Sequence, residues 1–219
     1  MKSKTLGILI ASMASVALMG AGFSSWVISG VVDSTEVYPV SVTVGDVKDA
    51  RVAVSATLTD GTIVFEAAGV TPAEDAVFKA EGSATQDLTA VVTIHVQAKS
   101  SAGTSKNVKV EWATTLPEIV KTKHLAALSS VTCKCGGEDV TVNENSSFVV
   151  APTTEAKDYT LTYTFAWGTA FNSKNPVQMP ASEVASLGAD TIVDNLKTLK
   201  SAMEVSSAVS IDFTPSIVA

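Results

Sequence analysis

The sequence predicts an all-β fold: a jelly-roll-like antiparallel β-sandwich with one or two short helical insertions. Three observations predict it. Apolar residues recur at every second position in run after run, the period of a strand with one buried face. The chain is built mainly from Ala, Val, Ser and Thr, a small and β-branched mixture that suits pleated surfaces. Helical periodicity is confined to two segments.

The 219 residues bound the answer to one domain, or at most two, after any targeting segment. Hydrophobic residues make up 46% and charged residues 17%, enough apolar material for a sizeable core. A disordered chain would carry fewer β-branched residues and more charge. The formal charge is −7, and Arg51 is the one arginine. Without a basic stripe to displace counterions, nucleic acid is excluded as a partner.

The elements follow in chain order. Lys2 and Lys4 precede an uncharged run from Thr5 to Val32 centred on "LGILIASMASVALMGAG". A positive start followed by an apolar stretch is the pattern of a signal peptide, placed here at residues 1 to 25. The run is also long enough to span a bilayer, so a retained anchor is the rival reading and the one route to a membrane. Either way residues 26 to 219, read as one β-sandwich domain, lie outside the cytoplasm: secreted, or at the cell surface.

Next, "YPVSVTVGDV" sets Val40, Val42 and Val44 on one face. "RVAVSATLTDGTIVFEAA" alternates through Val52, Val54, Ala56 and Leu58. Its Asp60-Gly61 predicts a hairpin returning through Ile63 and Phe65, because both turn residues tolerate positive φ. "LTAVVTIHVQA" and "KNVKVEWATTL" alternate too, and the polar stretch between them predicts a second hairpin. "LPEIVKTKHLAALSS" is a short helical candidate. Further strands are expected at "EDVTVNE", "SFVVAP", Tyr159–Trp167 and "SAVSIDFTP". Before the last strand, Val193, Leu196, Leu199, Lys200 and Met203 approximate a helical stripe that Asp190 is placed to cap.

Chemistry is harder to find. Cys133-Lys134-Cys135-Gly136-Gly137 allows three readings: a local disulfide between Cys133 and Cys135, two thiols in a turn, or half of a metal site. A zinc site wants more ligands than two Cys and two His readily supply, and the spacing is not C-x₂₋₄-C. H-E-x-x-H is absent around His95 and His124, and so are a G-x-S-x-G elbow, a calcium loop and a phosphate loop. A Ser-His-Asp triad can assemble across a fold without leaving a local motif. His95 reads as an ordinary surface histidine. No catalytic residue, metal site or cofactor is expected, and the chain is read as a non-enzyme. In "YTLTYTFAWGTAFNSKNP", Tyr159, Leu161, Tyr163, Phe165 and Trp167 share one strand face. Exposed, Tyr159, Tyr163 and Trp167 would form a sugar-binding platform; Leu161 and Phe165 between them favour a core strand instead.

Three features together resemble the TasA/camelysin-type secreted proteins of Gram-positive bacteria. They are the signal segment running into "GAGFSSWVISG", the aromatic strand followed by W-G-x-x-F…N-P, and the late helix "DTIVDNLKTLKSAMEV" before a final strand. The resemblance implies a jelly-roll subunit of an extracellular, biofilm-matrix fibre, partnered by its own copies and by other matrix proteins. It implies assembly by donation of an N-terminal strand to the next subunit's sheet. The matching segment lies near residues 33 to 47, with Val37, Tyr38, Val40, Val42 and Val44 as its candidate residues; an alternating strand of this kind can complete a neighbour's sheet edge. Camelysin-like members also bring the alternative of a surface metalloprotease, and the aromatic face that of a sugar- or ligand-binding adhesion module.

Overall fold

The computed structural model describes residues 23–25, 37–45, 51–61, 63, 88–144, 146–203 and 208–218. Their strands form two five-stranded sheets. In spatial order the first is β1 (Phe23–Ser25), β2 (Val37–Val44), β10 (Val209–Val218), β5 (Asn107–Thr115) and β8 (Ser147–Val150). The second is β3 (Val52–Asp60), β4 (Thr89–Ala98), β9 (Lys157–Trp167), β6 (Ala126–Cys135) and β7 (Glu138–Val140). The chain shuttles between the two layers, as in a jelly roll, and the fold is the all-β sandwich that the alternation predicts. One pair departs from the antiparallel rule: β2 runs parallel to β10. Parallel neighbours cannot be joined by a tight turn, and these two come from opposite ends of the chain.

The core forms where the inward faces meet. β4 buries Ala90, Val92, Ile94 and Val96, and β9 buries Tyr159, Leu161, Tyr163, Phe165 and Trp167, each at most 4% exposed. Register places Ala90 opposite Tyr163, Val92 opposite Leu161 and Ile94 opposite Tyr159. From the facing sheet Phe148 stacks on Tyr159 at 5.2 Å, and Trp112 meets Tyr163 edge-on at 6.3 Å. Such aromatic pairs add to simple area burial. The aromatic face is therefore interior and no stacking platform. The threonines between, Thr160, Thr162 and Thr164, face outward beside Thr93 and Thr89.

Several expected connections turn out differently. The stretch after β4 is not a hairpin, because β4 is flanked by β3 and β9 while β5 belongs to the other sheet. The turn at 99–106 carries the chain across the sandwich, and alternation alone does not distinguish that crossing from a hairpin. β3 pairs with β4 on one flank; Ile63 is buried outside any strand, and Phe65 with the rest of the expected return from Asp60-Gly61 lies outside the described residues. The first helical segment is α1 (Glu118–Thr122), only five residues, and the chain then forms β6. β6 hides from pattern reading because Leu128, Val131 and Cys135 are only half-buried and its register slips between Leu128 and Ser130. Gly136 and Gly137, both at positive φ, then turn β6 into β7.

The second insertion is two helices, α2 (Ala181–Leu187) and α3 (Ala189–Met203), divided at Gly188 with φ 85°. Asp190 stands in the first turn of α3, where a carboxylate suits the helix dipole. The buried stripe is Ile192, Leu196, Leu199, Lys200 and Met203, with Val193 at its margin. Between β9 and these helices the W-G…N-P loop has a mechanical explanation. A Cβ on Gly168 would stand 1.9 Å from the His124 carbonyl oxygen, so only glycine permits the approach. Asn175, extended ahead of Pro176, accepts a 3.1 Å hydrogen bond from the Val177 amide and caps the 3₁₀ turn Pro176–Gln178.

Candidate functional site

The candidate donor residues fall on β2. Val40 and Val42 are buried opposite Val209 and Ile211, and Val44 is half-buried opposite Phe213. The alternation thus carries through into burial: three valines go inward, while Ser41 and Thr43 face out. Val37 and Tyr38 belong to the same strand, where the backbone pairs with Ser25 and Ser24 of β1. From Val40 to Val44 the other flank of β2 has no strand partner among the described residues. In this chain the strand completes its own sheet. Residues 1–22, 26–36 and 46–47 of the expected leader and donor segment lie outside the described residues.

Polar contacts close the outer side of the same pairing. Thr43 Oγ1 donates a hydrogen bond to Asp212 Oδ1. Ser210 Oγ donates to Asp212 Oδ2 at 3.3 Å, and Ser41 Oγ to the Val209 carbonyl at 3.5 Å. The Gly45 amide donates to the Phe213 carbonyl at 2.8 Å, the last rung before Pro215. The sequence reading did not single out Asp212 or Thr43. Both stand at the polar positions of alternating strands, but their juxtaposition requires the parallel register.

Cys133 and Cys135 are free thiols, on the same face of β6 because positions i and i+2 of a strand share a face. An extended backbone holds two such Cα atoms about 6.6 Å apart, near the upper limit for a disulfide. Burial, then the neighbouring Cys135, pushes the Cys133 thiol up to about 12. Burial, followed by the charge and hydrogen bond of Cys135, pushes Tyr159 up to about 12 as well; burial raises Tyr163 in the same direction. These are neutral packing groups at ordinary pH, and a buried thiol so held is a poor nucleophile.

His95 has company that the sequence did not reveal. Its Nδ1 lies 2.7 Å from Asp158 Oδ1 and its Nε2 3.2 Å from Thr57 Oγ1, so a hydroxyl, an imidazole and a carboxylate span three neighbouring strands. The order is that of a triad, but the group sits on the outer face of a sheet. Of the strands around it, β4 and β9 are paired on both flanks, and β3, which carries Thr57, is paired with β4 alone among the described residues. His124 is elsewhere, on the rim of a cavity of about 610 Å³ along β6, with Lys121, Leu116, Leu128 and Trp167. Among the described residues no group of three or more His, Cys, Asp or Glu side chains could hold a metal ion, and no helix is long and apolar enough to cross a membrane.

Comparison with protein-family models, with curated proteins and with solved structures gives no match for this chain.

Proposed function

We propose that the chain is an exported structural protein, the subunit of an extracellular or cell-surface fibre of the biofilm-matrix kind, assembled by β-strand donation and without enzymatic activity. The observation that carries this reading is β2: an outlying strand, contributed by the N-terminal part of the chain, that inserts Val40 and Val42 into the core beside the C-terminal strand. A strand held over Val40–Val44 by one flank alone, among the described residues, is the kind of element that exchanges between identical copies, because the neighbour's slot offers the same contacts. The resemblance in leader, W-G…N-P loop and late helix supports the same reading.

Electron microscopy of the purified chain from residue 26, with and without residues 26 to 47, tests it. Filaments from the longer form and none from the shorter are expected. A synthetic peptide covering residues 33 to 47 should occupy the vacant slot of the shorter form, restore its folding and cap growth of the longer form. Equally good filaments from the truncated chain rule out this strand as the donor.

A further inference from the structure

We infer that Asp212 is the residue that specifies the register in which β2 docks on β10, with Thr43 as its partner. Between chains the inference rests on the strand-donation reading; within one chain it stands on the observed contacts alone.

The need for such a residue follows from the apolar pattern. β2 offers Val40, Val42 and Val44, and β10 offers Val209, Ile211 and Phe213. A slip of one residue would turn the valines to solvent, so burial excludes it. A slip of two residues keeps the valines facing inward, against another apolar side chain at most rungs. Hydrophobic patterning alone therefore leaves three registers close in free energy, and a strand that must find the correct slot needs a further mark.

The outer face supplies that mark. In the observed register Thr43 opposes Asp212 and donates to its carboxylate. A slip toward the start of β10 sets Thr43 opposite Ser210 and brings Gly45 opposite Asp212, which strips the carboxylate of the threonine hydroxyl. A slip the other way sets Ser41 opposite Asp212 but carries Val44 to Pro215. The Phe213 carbonyl faces β2, and the strand period puts position 215 on the same side, where proline has no amide hydrogen to offer. Asp212 guards one direction and Pro215 the other.

The test uses register probes that leave Thr43 and Asp212 in place. Ser41 and Ser210 are direct partners, so a chain carrying S41C and S210C should close a 41–210 disulfide under mild oxidation, identified by peptide mass to separate it from the native cysteines. Adding Asp212→Ala or Thr43→Val should cut the yield of that link about tenfold, the scale of a lost hydrogen bond to a charged group. Asp212→Asn and Thr43→Ser, which keep the bond, should retain it. Emission from the buried Trp112 and Trp167 verifies that each variant is folded. If folded D212A and T43V chains close the link as well as their parent, Asp212 does not set the register. Mixing S41C chains with S210C chains under assembly conditions addresses donation separately. A chain-to-chain 41–210 link supports it; a link formed only within single chains overturns the donation reading, while the variant series still decides the role of Asp212.

Discussion

Gly168 shows how one residue position can hold two segments together. Its amide donates to the Leu125 carbonyl at 2.9 Å, and the turn it starts packs Phe171 edge-on to Trp167 at 5.0 Å. Gly168→Ala forces a methyl group against the His124 carbonyl and should cost about 3 kcal/mol, read from urea unfolding. A wild-type midpoint would show that the backbone gives way there at little cost. Cys133 makes a prediction about pH. In the unfolded chain its thiol titrates near 9.0 and in the folded chain near 12. Over that window the unfolded chain sheds a proton that the folded chain keeps, so stability is intact below pH 9 and falls as the pH rises toward 12. Tyr159 adds to the same loss from its ordinary value of 10.0 to about 12. Cys133→Ala should flatten the decline between pH 8.5 and 10.5 by up to one proton. An unchanged slope would place the alkaline sensitivity elsewhere. At neutral pH a thiol reagent should modify the half-buried Cys135 well before Cys133.

At the scale of elements, β2 and β9 show how much a strand's position decides. β9 is bonded on both flanks, to β4 and to β6, and its aromatic face fills the centre of the core. Among the described residues, β2 shares only its β10 flank over the five residues from Val40 to Val44. Truncating a buried valine on β2 therefore removes a strand's anchorage without opening the centre of the sandwich. Val42→Ala should cost about 1–2 kcal/mol and release β2 ahead of the rest. Hydrogen exchange checks the order: amides of β2 should exchange faster in V42A while those of β4 and β9 keep their protection. Uniform loss of protection would mean that β2 unfolds only with the whole. β6 illustrates why some elements escape a sequence reading. Its inward side chains alternate imperfectly around a bulge, and the helical look of "EIVKTKHLAAL" belongs to only five residues of it. The Gly136-Gly137 turn was the available signal, since two glycines between short β-branched runs mark a tight hairpin.

For the whole molecule, β2 and β10, far apart in sequence, lie side by side and complete one sheet together. A sheet completed by two strands so far apart in sequence can close within one chain or on a copy, and the contacts are the same in both cases. The S41C/S210C disulfide formed inside one chain should therefore hold the molecule monomeric, and reduction should restore filament growth. Filaments from the fully cross-linked chain, counted by electron microscopy, would mean that assembly uses another surface. The cavity along β6, apolar within and rimmed by Lys121 and His124, is the first place to look in that event.

The sequence by itself determined which side chains face inward. Val40, Val42, Ile94, Tyr163 and Ile211 are all legible from period-two alternation, because burial on one face of a strand leaves a mark at every second residue. It also determined the class of fold and the late helical insertion. Tertiary structure alone decided which strand lies beside which: that β4 and β5 belong to different layers, that β6 exists, that β2 runs parallel to β10, and that His95 meets Asp158 and Thr57. The reason is physical. Alternation records the environment of a face, whereas pairing is made by backbone groups that are alike at nearly every residue. The choice of partner is settled by how the whole core packs, and its finer register by single polar contacts such as Thr43 with Asp212.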